Sequence, residues 1–203
     1  VADAEPLALG IVAWHQQPSI LWEGSVAPWT PYALRGVLWN QGDSNVVDAP
    51  RYCSKMHALY NGWAKNFGNP NLKFYYVEQG RIDGSCWELQ RQQAKFAAEQ
   101  PNAAMSGGND LAVQDVHGKD KEMEARRLLL HALKRDYGFP GIRAESPELA
   151  SWKIDGDAFL LSFSNARTLY VYNKDFSLKA DLEIAGEDGV WRQADITNFT
   201  NAG

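Results

Sequence analysis

Residues 36–45 read Gly-Val-Leu-Trp-Asn-Gln-Gly-Asp-Ser-Asn, an apolar run that ends abruptly in small polar side chains. The valine and leucine are typical of a buried strand, whereas the polar residues from Gln41 onwards are not. In an open α/β sheet, ligands bind in the crevice outside the carboxyl ends of the strands. Gly42 lets the backbone approach a ligand closely, and Asn45 offers a side-chain amide to a developing oxyanion. The stretch therefore predicts a sheet strand followed by a ligand-binding loop.

Strands and helices are predicted to alternate from the start of the chain to about Phe139. Apolar runs predict strands at 7–14, 33–39, 72–77 and 102–105, and helical spacing predicts helices at 48–67, 85–99 and 119–137. We expect Asp48 to cap the first of these helices, and Ser85 and Glu88 to form a capping box at the second. This alternation indicates an α/β fold with a parallel sheet flanked by helices.

The pattern changes after Pro140-Gly141, where apolar residues begin to alternate with polar ones. A period of two is typical of strands that bury one face. We predict an antiparallel, sandwich-like β segment across residues 150–203. The sequence thus predicts an α/β domain at 1–145 and a β-rich accessory domain at 146–203.

The overall composition argues against several classes of partner. The 203 residues are 45% hydrophobic and 22% charged, with a formal net charge of -5. These values are ordinary for a globular protein. Because no basic cluster is present to bind phosphates, we expect no nucleic-acid partner. No apolar run approaches the length of a membrane-spanning helix, so we expect no membrane partner either.

The cysteines and histidines give no sign of a metal site. Cys53 and Cys86 permit at most one disulfide, and two buried thiols are the expected outcome. No His/Cys spacing resembles a zinc site. The sequence therefore predicts neither a metal nor a cofactor.

Asp115-Val116-His117 is predicted to lie in a loop between a short strand and a helix. A histidine titrates near neutral pH, which suits it to take a proton from a nucleophile and return it to a leaving alcohol in ester hydrolysis. A carboxylate would fix its tautomer, and Asp115 and Asp110 are both near enough in sequence. A backbone carbonyl is a third possibility. The other histidines have weaker support as catalytic residues: His15, His57 and His131.

Several segments resemble the sialate O-acetylesterase-like carbohydrate esterases of the SGNH hydrolase superfamily. Residues 36–45 resemble that family's Gly-Val-Ile-Trp-Tyr-Gln-Gly-Glu-Ser-Asn, and residues 17–24 resemble its Gln-Pro-Ser-Val-Leu-Tyr-Asn-Gly. Residues 31–34 resemble Pro-Tyr-Ala-Ile. Residues 115–121, Asp-Val-His-Gly-Lys-Asp-Lys, resemble Asp-Ile-His-Pro-Lys-Asn-Lys, and residues 184–189 resemble part of the family's C-terminal β-domain. The matched segments follow the same order in this sequence as in the family.

The resemblance implies an SGNH, flavodoxin-like sheet that is incomplete at its N-terminal side. In the family, the nucleophilic serine lies in a Gly-Gln-Ser-Asn segment ahead of every segment matched here, and this sequence has none before residue 36. Ser44 stands in a Gly-Asp-Ser that imitates the opening motif of many SGNH enzymes. We nevertheless expect Ser44 not to be the nucleophile, because its surroundings match the later, asparagine-bearing segment.

The resemblance also implies roles for particular residues. His117 would be the base, Asp115 would orient it, and Asn45 would help to hold the oxyanion. A turn-capping role for Asn45 is the simpler alternative. Gln114, three residues before the histidine, occupies the usual SGNH position of the acid and cannot serve as one. The loop residues implied to bind substrate or the oxyanion beside Asn45 are Gln41, Gly42 and Asp43, the last replacing the family's glutamate.

The implied activity is removal of acetyl groups from sialic acids or hemicellulose sugars, as in an acetylxylan esterase. The partners would be the acetylated carbohydrate and an N-terminal portion of the same enzyme, on the same or a separate chain, that carries the serine. Family members act on secreted, periplasmic or lysosomal glycans, which suggests a similar location. The alternative is a non-catalytic carbohydrate-binding module that retains the esterase fold.

Overall fold

The computed structural model describes residues 17–80, 86–111, 121–166 and 182–196. The chain divides into two compact units, residues 1–144 and 145–203. The strand predicted at 7–14 and Ser85 of the predicted capping box lie outside the described residues. Assignment of the units as an esterase domain and an accessory domain stays a prediction.

The first unit is built around a three-stranded parallel sheet. Its main elements are β1 (Gly36–Trp39), α1 (Tyr52–Asn66), β2 (Lys73–Val77), α2 (Trp87–Glu99), β3 (Ala103–Ser106) and α3 (Lys121–Asp136). The strand order is β1-β2-β3, and both neighbouring pairs are parallel. The predicted α/β class with a helix-flanked parallel sheet is therefore confirmed for this unit.

Helices cover both faces of β2. Because side chains alternate along a strand, Phe74 and Tyr76 face the helices α1 and α2, where they contact Phe96. Tyr75 and Val77 face the other way and cluster with Leu128 of α3. All four side chains of β2 named here are nearly inaccessible to solvent. A strand buried on both faces is typical of the centre of a parallel sheet.

The start of α1 differs from the prediction. Residues 43–51 form a short 3-10 helix instead, and Asp48 interrupts it with φ -130° and ψ 33°. Asp48 therefore does not cap α1, whose N-cap residue is Arg51. The Asp48 carboxylate accepts hydrogen bonds from Asn45 and Lys55. The prediction that Asp48 caps α1 was wrong, because the Asn45 amide and the Lys55 ammonium donate to its carboxylate in place of backbone N–H groups of the helix.

The predicted capping box of α2 stays a prediction, because its Ser85 lies outside the described residues. The helix begins at Trp87, and its N-cap residue Cys86 makes no side-chain capping hydrogen bond. The Glu88 carboxylate accepts two hydrogen bonds from the Arg91 guanidinium and one from Gln92. A bidentate pair with a cation is stronger than a single bond to a neutral backbone N–H.

The second unit contains antiparallel hairpins, as predicted. Strand β4 (Glu148–Asp155) pairs with β5 (Ala158–Ser164), and β6 (Leu182–Ala185) pairs with β7 (Trp191–Ala194). Gly156 and Gly189 have φ of 65° and 66° at the turns, which glycine adopts without steric cost. The sandwich arrangement stays a prediction.

Candidate active site

A cleft of about 820 Å³ opens at the carboxyl ends of β1 and β2. This is the edge at which α/β proteins bind ligands. The loop after β1 forms one wall, Gln79 lies beyond β2, and α3 forms the other wall. The lining residues are Leu38, Trp39, Asn40, Gln41, Gly42, Asp43, Ser44, Val77, Gln79, Lys121, Glu124, Ala125 and Leu128.

Two glycines bring neighbouring loops into contact with the residues that follow β2. A Cβ atom on Gly42 would stand 2.5 Å from Cγ of Gln79, and one on Gly108 would stand 2.1 Å from the carbonyl oxygen of Glu78. Both distances are far inside van der Waals contact. The loops after β1 and β3 can therefore approach this edge only because they carry glycine at these positions.

A chain of hydrogen bonds fixes the loop that carries Asn45. The Tyr52 hydroxyl donates to the backbone carbonyl of Gln41 at 2.8 Å. The Gln41 side chain in turn donates through Nε2 to Oδ1 of Asn45 at 2.8 Å. Because Gln41 occupies the oxygen of the Asn45 amide, the orientation of that amide is set. The backbone N–H of Asn45 donates to the carbonyl of Gly42 at 2.7 Å and closes the turn.

The amide nitrogen of Asn45 is the donor that this arrangement presents. A primary amide nitrogen carries two N–H groups. Within the part of the chain that the structure describes, one of them reaches Oδ1 of Asp48, at a long 3.3 Å. Asn45 directly follows Ser44, the last residue of this loop that lines the cleft, and is not itself a lining residue. Its predicted role as an oxyanion donor stays a prediction.

A polar network crosses the cleft from the sheet to α3. Asn40 donates through Nδ2 to Oε2 of Glu124 at 2.6 Å, and Gln79 donates through Nε2 to Oδ1 of Asn40 at 3.1 Å. Lys121 donates to the same Glu124 oxygen at 3.1 Å. Amides, a carboxylate and an ammonium thus alternate along the wall. Such a mixture of donors and acceptors is suited to hydroxyl groups.

Asp43 contributes a buried acceptor. Its Oδ1 is inaccessible, and no residue that the structure describes donates to it. A buried acceptor without a donor carries an energetic cost. Asp43 also lines the cleft, so part of this residue faces the space in which a ligand would bind.

The predicted base and acid, His117 and Asp115, lie outside the described residues, as does His15. Their convergence with Asn45 therefore stays a prediction. Asp110, the competing acid, forms a bidentate ion pair with Arg127 at 2.6 and 2.5 Å. The Arg127 guanidinium holds the pKa of Asp110 below its usual range. Both carboxylate oxygens of Asp110 are therefore engaged by Arg127.

Asn40, Gln79 and Glu124, which line the cleft, were not predicted from the sequence as site residues. Asn40 directly follows β1 and Gln79 follows β2, so their positions at strand ends were a usable signal. Glu124 had no such signal, because a glutamate in the first turn of a helix is ordinarily solvent-exposed. His131, by contrast, is buried and stacks on Tyr75 with the ring centroids 5.8 Å apart, which fits a packing role.

Glu78 gives a prediction on pH dependence. Burial raises the pKa of Glu78, the Gly108 N–H opposes this, and the nearby Asp110 charge adds to it. The raised pKa means that the folded state holds the Glu78 proton more tightly than the unfolded state does. The contribution of this proton to folding stability is complete below the ordinary carboxyl pKa and is lost as the pH rises through the raised pKa. We expect Glu78→Gln to unfold at a higher temperature than wild type at neutral pH, with the difference disappearing in acid.

Thermal melts of wild type and Glu78→Gln between acidic and neutral pH would check this prediction. Glu148→Gln is the matched control, because Glu148 is exposed on β4 and the same chemical change there should leave the melting temperature unaltered. A lower melting temperature for Glu78→Gln at neutral pH would show that the carboxylate stabilises the fold.

Comparison with known proteins identifies the family. The family model for the carbohydrate esterase, sialic acid-specific acetylesterase domain matches residues 14–130. The chain belongs to this family. The matched region contains β1, the polar loop after it, helices α1 and α2, and α3 as far as residue 130. It also contains every residue that lines the cleft. The resemblance noted in the sequence is thereby confirmed.

Curated relatives agree with the family match. The chain is 26% identical to the sialate O-acetylesterases of Homo sapiens and Pongo abelii over 181 residues, which is 77% of this chain and 35% of each relative. It is 26% identical to the Rattus norvegicus enzyme over 188 residues, covering 81% and 35%. The chain therefore spans about a third of the length of the curated relatives it matches.

A solved structure shares the fold. The crystal structure of a carbohydrate acetylesterase from Xanthomonas citri superimposes with a TM-score of 0.71 and 24% identity. The alignment covers 85% of this chain and 41% of that one.

Among the described helices, none has the length and apolarity to cross a membrane.

Proposed function

We propose that this chain is part of a carbohydrate O-acetylesterase that removes acetyl groups from sialic acids or hemicellulose sugars. The observation that carries the proposal is the cleft at the carboxyl ends of β1 and β2, with the braced Gln41–Asn45 loop beside it, in a member of an acetylesterase family. The fold is proposed to be of the SGNH type. Its nucleophilic serine lies outside this chain.

The reaction proceeds by two acyl transfers. The serine Oγ attacks the acetyl carbonyl carbon while His117 takes the hydroxyl proton, and the amide N–H of Asn45 binds the oxyanion. The bond between the carbonyl carbon and the sugar oxygen then breaks, and His117 protonates that oxygen. Water next attacks the acetyl-serine with His117 again as base, which releases acetate and restores the serine. Asp115 orients His117 throughout.

The cleft walls support a carbohydrate as substrate. Asn40, Gln79 and Glu124 place amide and carboxylate groups along a continuous hydrogen-bonded wall. Asp43 adds a second carboxylate residue to the lining. A sugar ring offers several hydroxyls, each both donor and acceptor. Glu124 would accept hydrogen bonds from sugar hydroxyls, while the amides would donate to hydroxyl oxygens.

The proposed partners and location follow from the family. The N-terminal portion of the enzyme, on the same or a separate chain, would supply the serine. Residues 146–203 would form an accessory β-domain. A secreted, periplasmic or lysosomal site of action would bring the enzyme to acetylated glycans.

Covalent labelling tests the proposal directly. Ser44 is exposed and lines the cleft, so among the residues that the structure describes it is the serine best placed to compete as nucleophile. We expect a fluorophosphonate to label the full-length enzyme on a serine outside these 203 residues. Ser44→Ala should retain both the label and acetate release. Ser54→Ala, which changes an exposed serine on α1, is the matched control.

Label mapped to Ser44, and lost in Ser44→Ala, would overturn the assignment and make this chain self-sufficient. A full-length protein that binds acetylated sugar but neither reacts with the probe nor releases acetate would instead be a carbohydrate-binding module.

A further inference from the structure

A second cluster of reactive side chains lies between α1 and α2 and shares no residue with the cleft. Cys53 and His57 are four residues apart on α1, so they occupy the same face of that helix. Glu99, the last residue of α2, reaches both of them. Its Oε2 lies 2.9 Å from Nε2 of His57 and 3.4 Å from Sγ of Cys53. All three ligand atoms lie within 4.8 Å of one another.

The set of atoms is chemically that of a transition-metal site. Thiolate sulfur, imidazole nitrogen and carboxylate oxygen are the donors that bind Zn²⁺ in proteins. Bond lengths to Zn²⁺ place ligand atoms of a tetrahedral site roughly 3.3–3.8 Å apart. The distances from Glu99 Oε2 to His57 Nε2 and to Cys53 Sγ, 2.9 and 3.4 Å, are within a few tenths of an ångström of that range. A metal could enter after the His57 and Glu99 atoms part by that amount.

The surrounding core holds two of the ligands in place. Cys53 is 4% exposed and belongs to the apolar cluster beneath α1 and α2. The His57 ring packs edge-on against Phe96, with the centroids 4.9 Å apart and an interplanar angle of 77°. A ligand set that is already positioned loses less conformational entropy when a metal binds.

The third ligand, Glu99, directs only one of its two oxygens at the cluster. Lys95 lies 3.7 Å from Oε1 of Glu99, whereas Cys53 and His57 both contact Oε2. One carboxylate oxygen therefore faces a cation and the other faces the cluster. A thiolate and a carboxylate together neutralise a divalent ion.

We propose that Cys53, His57 and Glu99 form a binding site for a borderline-soft divalent metal ion of the Zn²⁺ class, with a fourth position open to solvent. On binding, the Cys53 thiol loses its proton to water as the sulfur–metal bond forms. The hydrogen bond between His57 and Glu99 is replaced by nitrogen–metal and oxygen–metal bonds. No electron is transferred. The ion links α1 to α2 and stabilises the fold.

Thiolate ligation sets the expected selectivity. Sulfur ligands favour zinc over hard cations such as Mg²⁺ and Ca²⁺, which prefer oxygen donors. The site is separate from the proposed acyl transfer, which needs no metal. Its test therefore uses readouts that do not depend on esterase activity.

Cobalt substitution tests the site, because Co²⁺ occupies zinc sites and reports on thiolate ligation by absorption. The full-length protein, reduced and freed of metal, is titrated with Co²⁺. We expect a thiolate-to-cobalt charge-transfer band that added Zn²⁺ removes. Cys53→Ser should lose that band. Cys86→Ser is the matched control, because Cys86 is also a buried thiol, and it should keep the band.

Circular dichroism establishes that each variant is folded, and thermal melts supply a second measurement. Zn²⁺ should raise the melting temperature of wild type and Cys86→Ser, but not that of Cys53→Ser. His57→Gln and Glu99→Gln should bind Co²⁺ more weakly. Identical cobalt spectra for wild type and Cys53→Ser, or no charge-transfer band in wild type, would overturn the proposal. Either result would leave the proposed esterase function untouched.

Discussion

His117→Ala in the complete enzyme is expected to lower kcat by about a hundred- to ten-thousand-fold, the contribution that general acid–base catalysis makes. In the proposed mechanism the imidazole takes the serine proton and later protonates the leaving sugar oxygen, so its removal would leave both steps to water. The effect should appear in kcat on a chromogenic acetate ester, with little change in melting temperature. Added imidazole should restore part of the rate, which would not occur if His117 were structural.

Lys65→Ala is the control for this experiment. Lys65 is exposed on α1 and does not line the cleft, so its replacement should leave kcat within a few-fold of wild type. A loss of only two-fold in His117→Ala, or an equal loss in Lys65→Ala, would move His117 out of the catalytic machinery.

Asn45→Ala is expected to lower kcat by about a hundred- to a thousand-fold, the cost of removing one oxyanion donor. The reason is the fixed orientation of its amide, whose oxygen is held by Gln41 and whose nitrogen is left as donor. Asn45→Asp keeps the size of the side chain but replaces the donor with a second acceptor. It should therefore be at least as impaired as the alanine variant.

The simpler role for Asn45 predicts a different result. Asn45 also bonds to Asp48 and closes a turn with Gly42, so it could serve only to brace the loop. In that case Asn45→Ala would raise KM or lower the melting temperature while kcat remained unchanged. Asn66→Ala is the matched control, because Asn66 is exposed on α1 and bonds only locally to Gly62.

The sheet was predictable because its strands are apolar runs bounded by polar residues. Burial of β2 on both faces follows from the run Phe74-Tyr75-Tyr76-Val77 itself. The start of α1 was less predictable. Asp48 and Pro50 resemble helix-start signals, yet the chain first forms a 3-10 segment, and the Tyr52 hydroxyl anchors the preceding loop at Gln41. Such a contact depends on the folded chain and leaves no local pattern.

The cleft and the proposed metal site were also only partly predictable, because they too depend on contacts that form only in the folded chain. The abrupt change from apolar to polar side chains after Trp39 predicted the loop that lines the cleft. The bond between Asn40 and Glu124 joins residues 84 apart in sequence, and His57 meets Glu99 across 42. Spacing rules detect ligands that are near neighbours in sequence. They could not detect a partner brought in by helix packing.

Gly42 and the cleft residue Asn40 differ in how much substitution they tolerate. A side chain at Gly42, or at Gly108 on the next loop, would meet Gln79 or the Glu78 backbone. Asn40 is exposed, and its amide hydrogen-bonds to Glu124 and Gln79 in the cleft lining. If the cleft binds an acetylated sugar as proposed, we expect sequence changes that alter the preferred sugar to arise at Asn40 and Glu124 and to leave both glycines in place.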